Sequence, residues 1–295
     1  MPFQPASALE KTVRVKALLL GSAGIGKTTV AVCTVPRPVG VLLCESDSSL
    51  DYARVAMRED EGLSERDIDK VLSFQSVGTY ESMLKAVQEA RVAADAGEIA
   101  SLVVDPFNFW ADRLTDQAFG WTKTKDGNED GRRAHPEATK RARQIIYQLL
   151  NLPCHVVVVS HYMDVGDAAK RGGPDKVPML PNKEMRAIVH GMFPHKLWMQ
   201  MNDQGQRVFV TTPQGATGPG VRGYRGASEI PADFAVLMDK LSIPGAFRPK
   251  IKTNGTTAPA TAAKSNGTPA RPPVAAKTTS TTSTRPTHNN NNIRK

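Results

Sequence analysis

Residues Gly21, Ser22, Ala23, Gly24, Ile25, Gly26, Lys27, Thr28 and Thr29 form a run whose spacing suits the binding of a phosphate chain. Gly21, Gly24 and Gly26 let the backbone come close to phosphate oxygens and take positive φ where the turn needs it. The N–H groups of the loop, together with the start of a following helix, then make an anion cradle. Lys27 would bridge the β- and γ-phosphates, and the Thr28 hydroxyl would ligate Mg²⁺. Chance alone would place this pattern in about one chain in a hundred of this size and composition. Its setting, after a strand and before a helix, makes ATP and Mg²⁺ the expected ligands.

Three further groups fall where such a site needs them. Asp105 ends the apolar run Ala100 to Val104, the place of a carboxylate that holds Mg²⁺ through water. The alternative is that Asp105 caps the next helix. Glu45, Asp47 and Asp51 follow a second apolar run, and hydrolysis needs a group to orient and deprotonate water. Asp47 is the first candidate and Glu45 the second, against solvated loop charges. Ser160 and His161 follow the run His155 to Val159 and could sense the γ-phosphate, though a helix cap explains Ser160 nearly as well.

These groups need a scaffold that gathers them on one edge. Val13 to Leu20, Val39 to Cys44, Ala100 to Val104 and His155 to Val159 read as buried strands, with a possible short one at Lys70 to Phe74. Tyr80 to Ala94 has helical spacing, and a helix from Pro136 in its first turn carries Ala142, Ile145, Ile146, Leu149 and Leu150 on one face. Gly120 to His135 is polar and reads as an exposed loop. Phe193 to Met201 and Arg207 to Thr212 read as a closing hairpin, and Pro231 to Leu241 as a last helix. The fold class is α/β: a mainly parallel sheet with helices on both faces, where ligands bind at the carboxyl ends of the strands.

Charge and composition divide the chain. Residues 246–295 hold nine Lys and Arg and no Asp or Glu, with one Phe, one Val and two Ile. Such a segment buries too little apolar surface to offset chain entropy and reads as a disordered tail. The whole chain carries 38 basic and 29 acidic residues, so residues 1–245 are neutral and the net +9 belongs to the tail. A basic arm on a neutral body points to a polyanion, with a solubilising tail as the plain alternative. The domains expected are an arm at 1–12, an ATPase core at 13–245 and the tail at 246–295. Cys33, Cys44 and Cys154 have no paired spacing, which fits a reducing, cytoplasmic setting and no zinc site. No run is long enough to span a bilayer, so no membrane partner is expected.

Residues 13–240 resemble the RecA-like recombinase ATPases, a P-loop NTPase family, and within them the small phage-encoded single-strand annealing (Sak) type; the chain is also similar to AAA-like nucleotide-binding proteins. The resemblance rests on Gly21 to Thr29, Leu43 to Arg54, Ser101 to Pro106 and Val156 to His161. It implies that Asp47 takes the place of the catalytic glutamate, one methylene shorter, and that Tyr52 stacks on adenine although it comes two residues early. It implies that Arg222 and Arg225 reach a neighbouring subunit's nucleotide, with a solvated basic loop as the alternative. It further implies a homo-oligomer acting on single-stranded DNA, or on a single-strand-binding protein, in recombination, annealing or replication. Phe3-Gln4-Pro5-Ala6 matches a Phe-x-x-Ala subunit plug, a pattern also expected by chance. Two rivals stay open. A small-molecule kinase would use Arg132, Arg133, Lys140, Arg141 and Arg143 as a lid, and an adaptor would bind nucleotide without hydrolysis.

Overall fold

The computed structural model describes residues 14–164, 176–211 and 220–241. The expected N-terminal arm with Phe3 to Ala6 and the expected basic tail lie outside the described residues.

Strand β1, Lys16–Gly21, is buried at every position because it is hydrogen-bonded on both sides within the sheet. Helix α1, Lys27–Cys33, follows the phosphate loop, and β2, Val39–Leu43, is again wholly buried. A 3₁₀ turn at Asp47–Leu50 leads into α2, Asp51–Glu59, and α3, Glu65–Val71, precedes β3, Leu72–Ser76. Helix α4, Tyr80–Asp95, starts in a capping box between Thr79 and Ser82. Strand β4, Ser101–Asp105, leads into α5, Phe107–Trp121. Helix α6, Gly131–Leu150, feeds β5, His155–Asp164, which continues past the sheet to pair with β6, Lys176–Pro178. Then come α7, Lys183–Met192, the hairpin β7, His195–Met201, and β8, Arg207–Val210, short β9, Gly220–Val221, and β10, Glu229–Pro231, and α8, Phe234–Lys240.

The sheet runs β10-β8-β7-β1-β5-β4-β2-β3, parallel from β7 through β3 and antiparallel at β8 and β10. Alternate residues of each central strand feed opposite cores. Leu18, Leu20, Val156 and Val158 join α4, α5, α6 and α7, whereas Ala17, Leu19, Val157 and Val159 join α1, α2 and α8. Two buried faces explain why these strands read as unbroken apolar runs. Lys16 sits in β1 at 9 % exposure, its Nζ donating to the carbonyls of Leu152 and Cys154, both at 2.7 Å.

Three expectations need correction. The exposed loop is not Gly120 to His135 but 122–130, because α5 runs on to Trp121 and α6 starts at Gly131. Asp130 caps α6 by accepting from the Arg132 N–H at 3.1 Å, so Pro136 lies inside the helix rather than opening it. Ala134 and Ala138 are buried at helical spacing with Ala142 and extend the apolar stripe upstream of the residues that signalled it. Pro136 forfeits one hydrogen bond there, a cost that this packing offsets. The last helix also starts later than Pro231. Glu229–Pro231 pairs with β8, and Asp233 caps α8 through the N–H groups of Ala235 and Val236.

Candidate functional site

Register decides which strand ends become neighbours. Gly21 at the end of β1 pairs with His161 of β5, and Leu43 at the end of β2 pairs with Asp105 at the end of β4. The Cys44 N–H donates to the Asp105 carbonyl at 2.8 Å, which sets Glu45 just beyond Asp105 on the carboxyl edge. An open cleft of about 630 Å³ lies there, lined by Ala23, Gly24, Gly26, Lys27, Thr28, Thr29, Glu45, Ser49, Tyr52, Asp105, Pro106, His161 and Arg207.

Gly21 is required by contact, Gly24 by its positive φ of 74°, and Gly26 by both. A Cβ on Gly21 would come within 3.1 Å of the Met199 carbonyl, and Gly26 has φ of 90° with the Arg207 guanidinium 3.2 Å from where its Cβ would be. Ser22 gives its carbonyl to Lys27, and Ile25 packs its side chain into the core beside α1. Neither lines the cleft; together they pin the loop between its anion-facing positions.

Lys27 is only 6 % exposed. Its Nζ donates to the Ser22 carbonyl at 2.7 Å and lies 3.2 Å from His161 Nδ1. Burial lowers its pKa to about 8, against the opposing pull of Asp105 and Glu45. His161 is likewise shifted down, by burial and then by the Lys27 charge, so the imidazole beside Lys27 is neutral at pH 7.

Asp105 is 2 % exposed, and burial pushes its pKa up to about 6, outweighing the Thr28 hydroxyl and the Lys27 ammonium. Its Oδ2 has no hydrogen-bond partner among the described residues. A buried carboxylate oxygen left unmet beside a Thr hydroxyl is what a divalent cation would satisfy. No group of three or more His, Cys, Asp or Glu side chains among the described residues could hold a metal by itself. An Mg²⁺ ion at Thr28 and Asp105 would therefore take its other ligands from phosphate and water, as Mg²⁺ commonly does.

The acidic candidates part company. Glu45 lines the cleft, half-buried, with its pKa raised first by burial. Asp47 is exposed, accepts from Ser76 Oγ at 2.9 Å and lines a separate groove with Asp51, Arg54 and Phe74. Tyr52 lies in the cleft wall and is 78 % exposed. Ser160 is fully buried and does not line the cleft, donating to Asn108 Oδ1 and the His161 carbonyl. Arg222 and Arg225 are exposed, and β9 pairs Val221 with His195 at the amino edge of the sheet, opposite the cleft. The cations suggested as a kinase lid lie on α6 and none lines the cleft. Arg141 is stacked over Trp121 at 4.0 Å and Tyr80 at 4.7 Å, and bonded to Glu137 at 2.8 Å.

Two residues escaped sequence reasoning. Asn108, 1 % exposed in the first turn of α5, accepts from the His161 N–H at 3.1 Å and so sets the end of β5. Arg207 has no motif around it; only the parallel pairing of β7 with β1 brings the hairpin's end to the phosphate loop.

A family model described as "AAA domain" matches residues 14–218. No curated protein matches the chain. Among solved structures it is similar to one reported as "Structural and biochemical analysis of a prototypical ATPase from the type III secretion system of pathogenic bacteria". That likeness has 12 % identity and a TM-score of 0.46, covering 70 % of this chain and 57 % of that one. With its phosphate loop, buried Asp105 and cleft all inside the matched residues, the chain belongs to the AAA domain family of nucleotide-binding P-loop proteins.

Proposed function

We propose that this chain is a Mg²⁺-dependent ATPase of RecA-like, phage type that acts on single-stranded DNA in recombination, annealing or replication. The observation that carries the ATPase reading is the orphaned Asp105 Oδ2 beside Thr28, at the edge where the phosphate loop opens. Lys27, with its charge weakly solvated, would leave the Ser22 carbonyl for phosphate oxygens. Bound Mg²⁺ would neutralise charge on the phosphate oxygens. Glu45 would orient the attacking water and accept its proton, since a carboxylate made more basic by burial is better suited to that task. His161, touching Lys27, would register the lysine's departure and pass it to β5 and on to β6.

The DNA reading is supported by charge. All of the net +9 lies in residues 246–295, so a polyanion would be held by the tail through counterion release, on an oligomeric body. A reducing, cytoplasmic setting accords with three cysteines that are all buried.

One assay tests the whole reading: ATP turnover with and without single-stranded DNA, for the full chain and for a chain ending at Gly245. Turnover stimulated by DNA, and less so without the tail, is expected. Turnover indifferent to DNA, with phosphate passed to a small acceptor, would reject it. Nucleotide binding without any turnover would identify an adaptor instead.

A further inference from the structure

Arg207 opens β8 directly after the hairpin turn, and its position is built rather than incidental. Asn202 Oδ1 accepts from the N–H groups of Gln204 and Gln206 at 3.0 and 2.9 Å, which shapes the turn. Arg207 pairs with Met201 across the hairpin, and its carbonyl accepts from the Ala232 N–H at 3.0 Å. The guanidinium then lies over Gly26, with Cζ and Nε each 3.2 Å and Nη2 3.3 Å from where a Cβ would be.

The side chain has neither an ion pair nor a hydrogen bond among the described residues, although it stands in the cleft with Lys27. Arg37 is paired with Glu61, Arg54 and Arg58 with Glu65, and Arg141 with Glu137, whereas Arg207 is one of the arginines without a carboxylate partner among the described residues. Arg207 and Lys27 thus share one cleft, and Arg207 lacks a counter-charge of its own. An anion held by the loop would supply it, and a guanidinium fork suits phosphate oxygens.

We infer that Arg207 is a phosphate-binding residue of the same chain, held by the β7–β8 hairpin against the phosphate loop to grip the nucleotide that the loop holds. The inference rests on the nucleotide-binding reading of the cleft. It differs from a cation sent in by a neighbouring subunit, because Arg207 reaches the loop without one. Substituting Gly26 would also disturb it, since any side chain there would press on the guanidinium.

The test is calorimetric titration of Mg²⁺-ATP and of ADP into the full chain and its Arg207→Gln and Arg207→Lys variants, with thermal melts of each without nucleotide. Arg207→Gln should weaken both nucleotides about 10- to 100-fold, the loss of one charge-assisted contact. Arg207→Lys should retain part of the affinity, as a point charge remains while the fork is lost. The melting midpoint without nucleotide should stay within about 1 °C, because an exposed side chain away from core packing contributes little to stability. An Arg207→Gln chain that binds as tightly as the parent overturns the inference, and so does a lowered midpoint with unchanged affinity. A parent chain that binds neither nucleotide overturns the ATPase reading as well, which separates the two failures.

Discussion

At the scale of single residues, the site concentrates burial on groups that carry charge, and this sets stability against function. Asp105 has a folded pKa of about 6 against 3.8 when unperturbed. The folded state therefore holds the proton more tightly; that stabilisation is complete below about pH 4 and lost as pH rises through 6. At neutral pH the ionised carboxylate costs the protein roughly 2–3 kcal/mol. Asp105→Asn should accordingly raise the melting midpoint without nucleotide at pH 8, with a much smaller gain at pH 4, while Mg²⁺-dependent nucleotide binding falls. Equal gains at both pH values would show that the carboxylate charge is not the source. Lys27→Ala should weaken ATP binding about 100-fold or more and remove ATP-dependent activity; activity that survives intact would refute this account of the loop. The loop and Asp105 were legible because they depend on local sequence. The choice between Glu45 and Asp47 was not, because the 3₁₀ turn at Asp47–Leu50 swings one acid toward Ser76 and leaves the other in the cleft.

At the scale of elements, the central strands were located because each is apolar on both faces, although β1 opens at Lys16, β5 runs five residues beyond Val159, and Lys70 and Val71 belong to α3 rather than to β3. The start of α6 was misread because alanines carry little hydropathic signal although burial makes them matter. Ala134→Leu tests this directly. In an exposed loop it would be neutral, but in the packed stripe of α6 it should cost about 1–3 kcal/mol by overpacking, measured by urea denaturation. An unchanged midpoint would return residue 134 to the surface. Asn108 works at the same scale. Removing its amide with Asn108→Ala would leave the His161 N–H unmet, and should cost about 1–3 kcal/mol in the same assay.

At the scale of the whole molecule, two cores share one sheet, and the chain's charge imbalance lies beyond the described body, in residues 246–295. If the tail holds single-stranded DNA, the logarithm of affinity should fall with the logarithm of salt at about 0.7 per neutralised phosphate. A chain ending at Gly245 should then show a much shallower slope by fluorescence anisotropy between 50 and 200 mM salt; equal slopes would put the contact on the body. By itself the sequence determined the phosphate loop, the strand ends that carry Asp105 and His161, and the separation of charge, because each depends on residues adjacent in the chain. Only the tertiary structure decided that Glu45 and not Asp47 enters the cleft, that Arg222 and Arg225 lie at the opposite edge, and that Arg207 meets Gly26. The first follows from the turn at Asp47–Leu50, the second from the pairing of β9 with β7, and the third from the pairing of β7 alongside β1, which joins segments some 180 residues apart. Residue types and local spacing carry no record of that pairing.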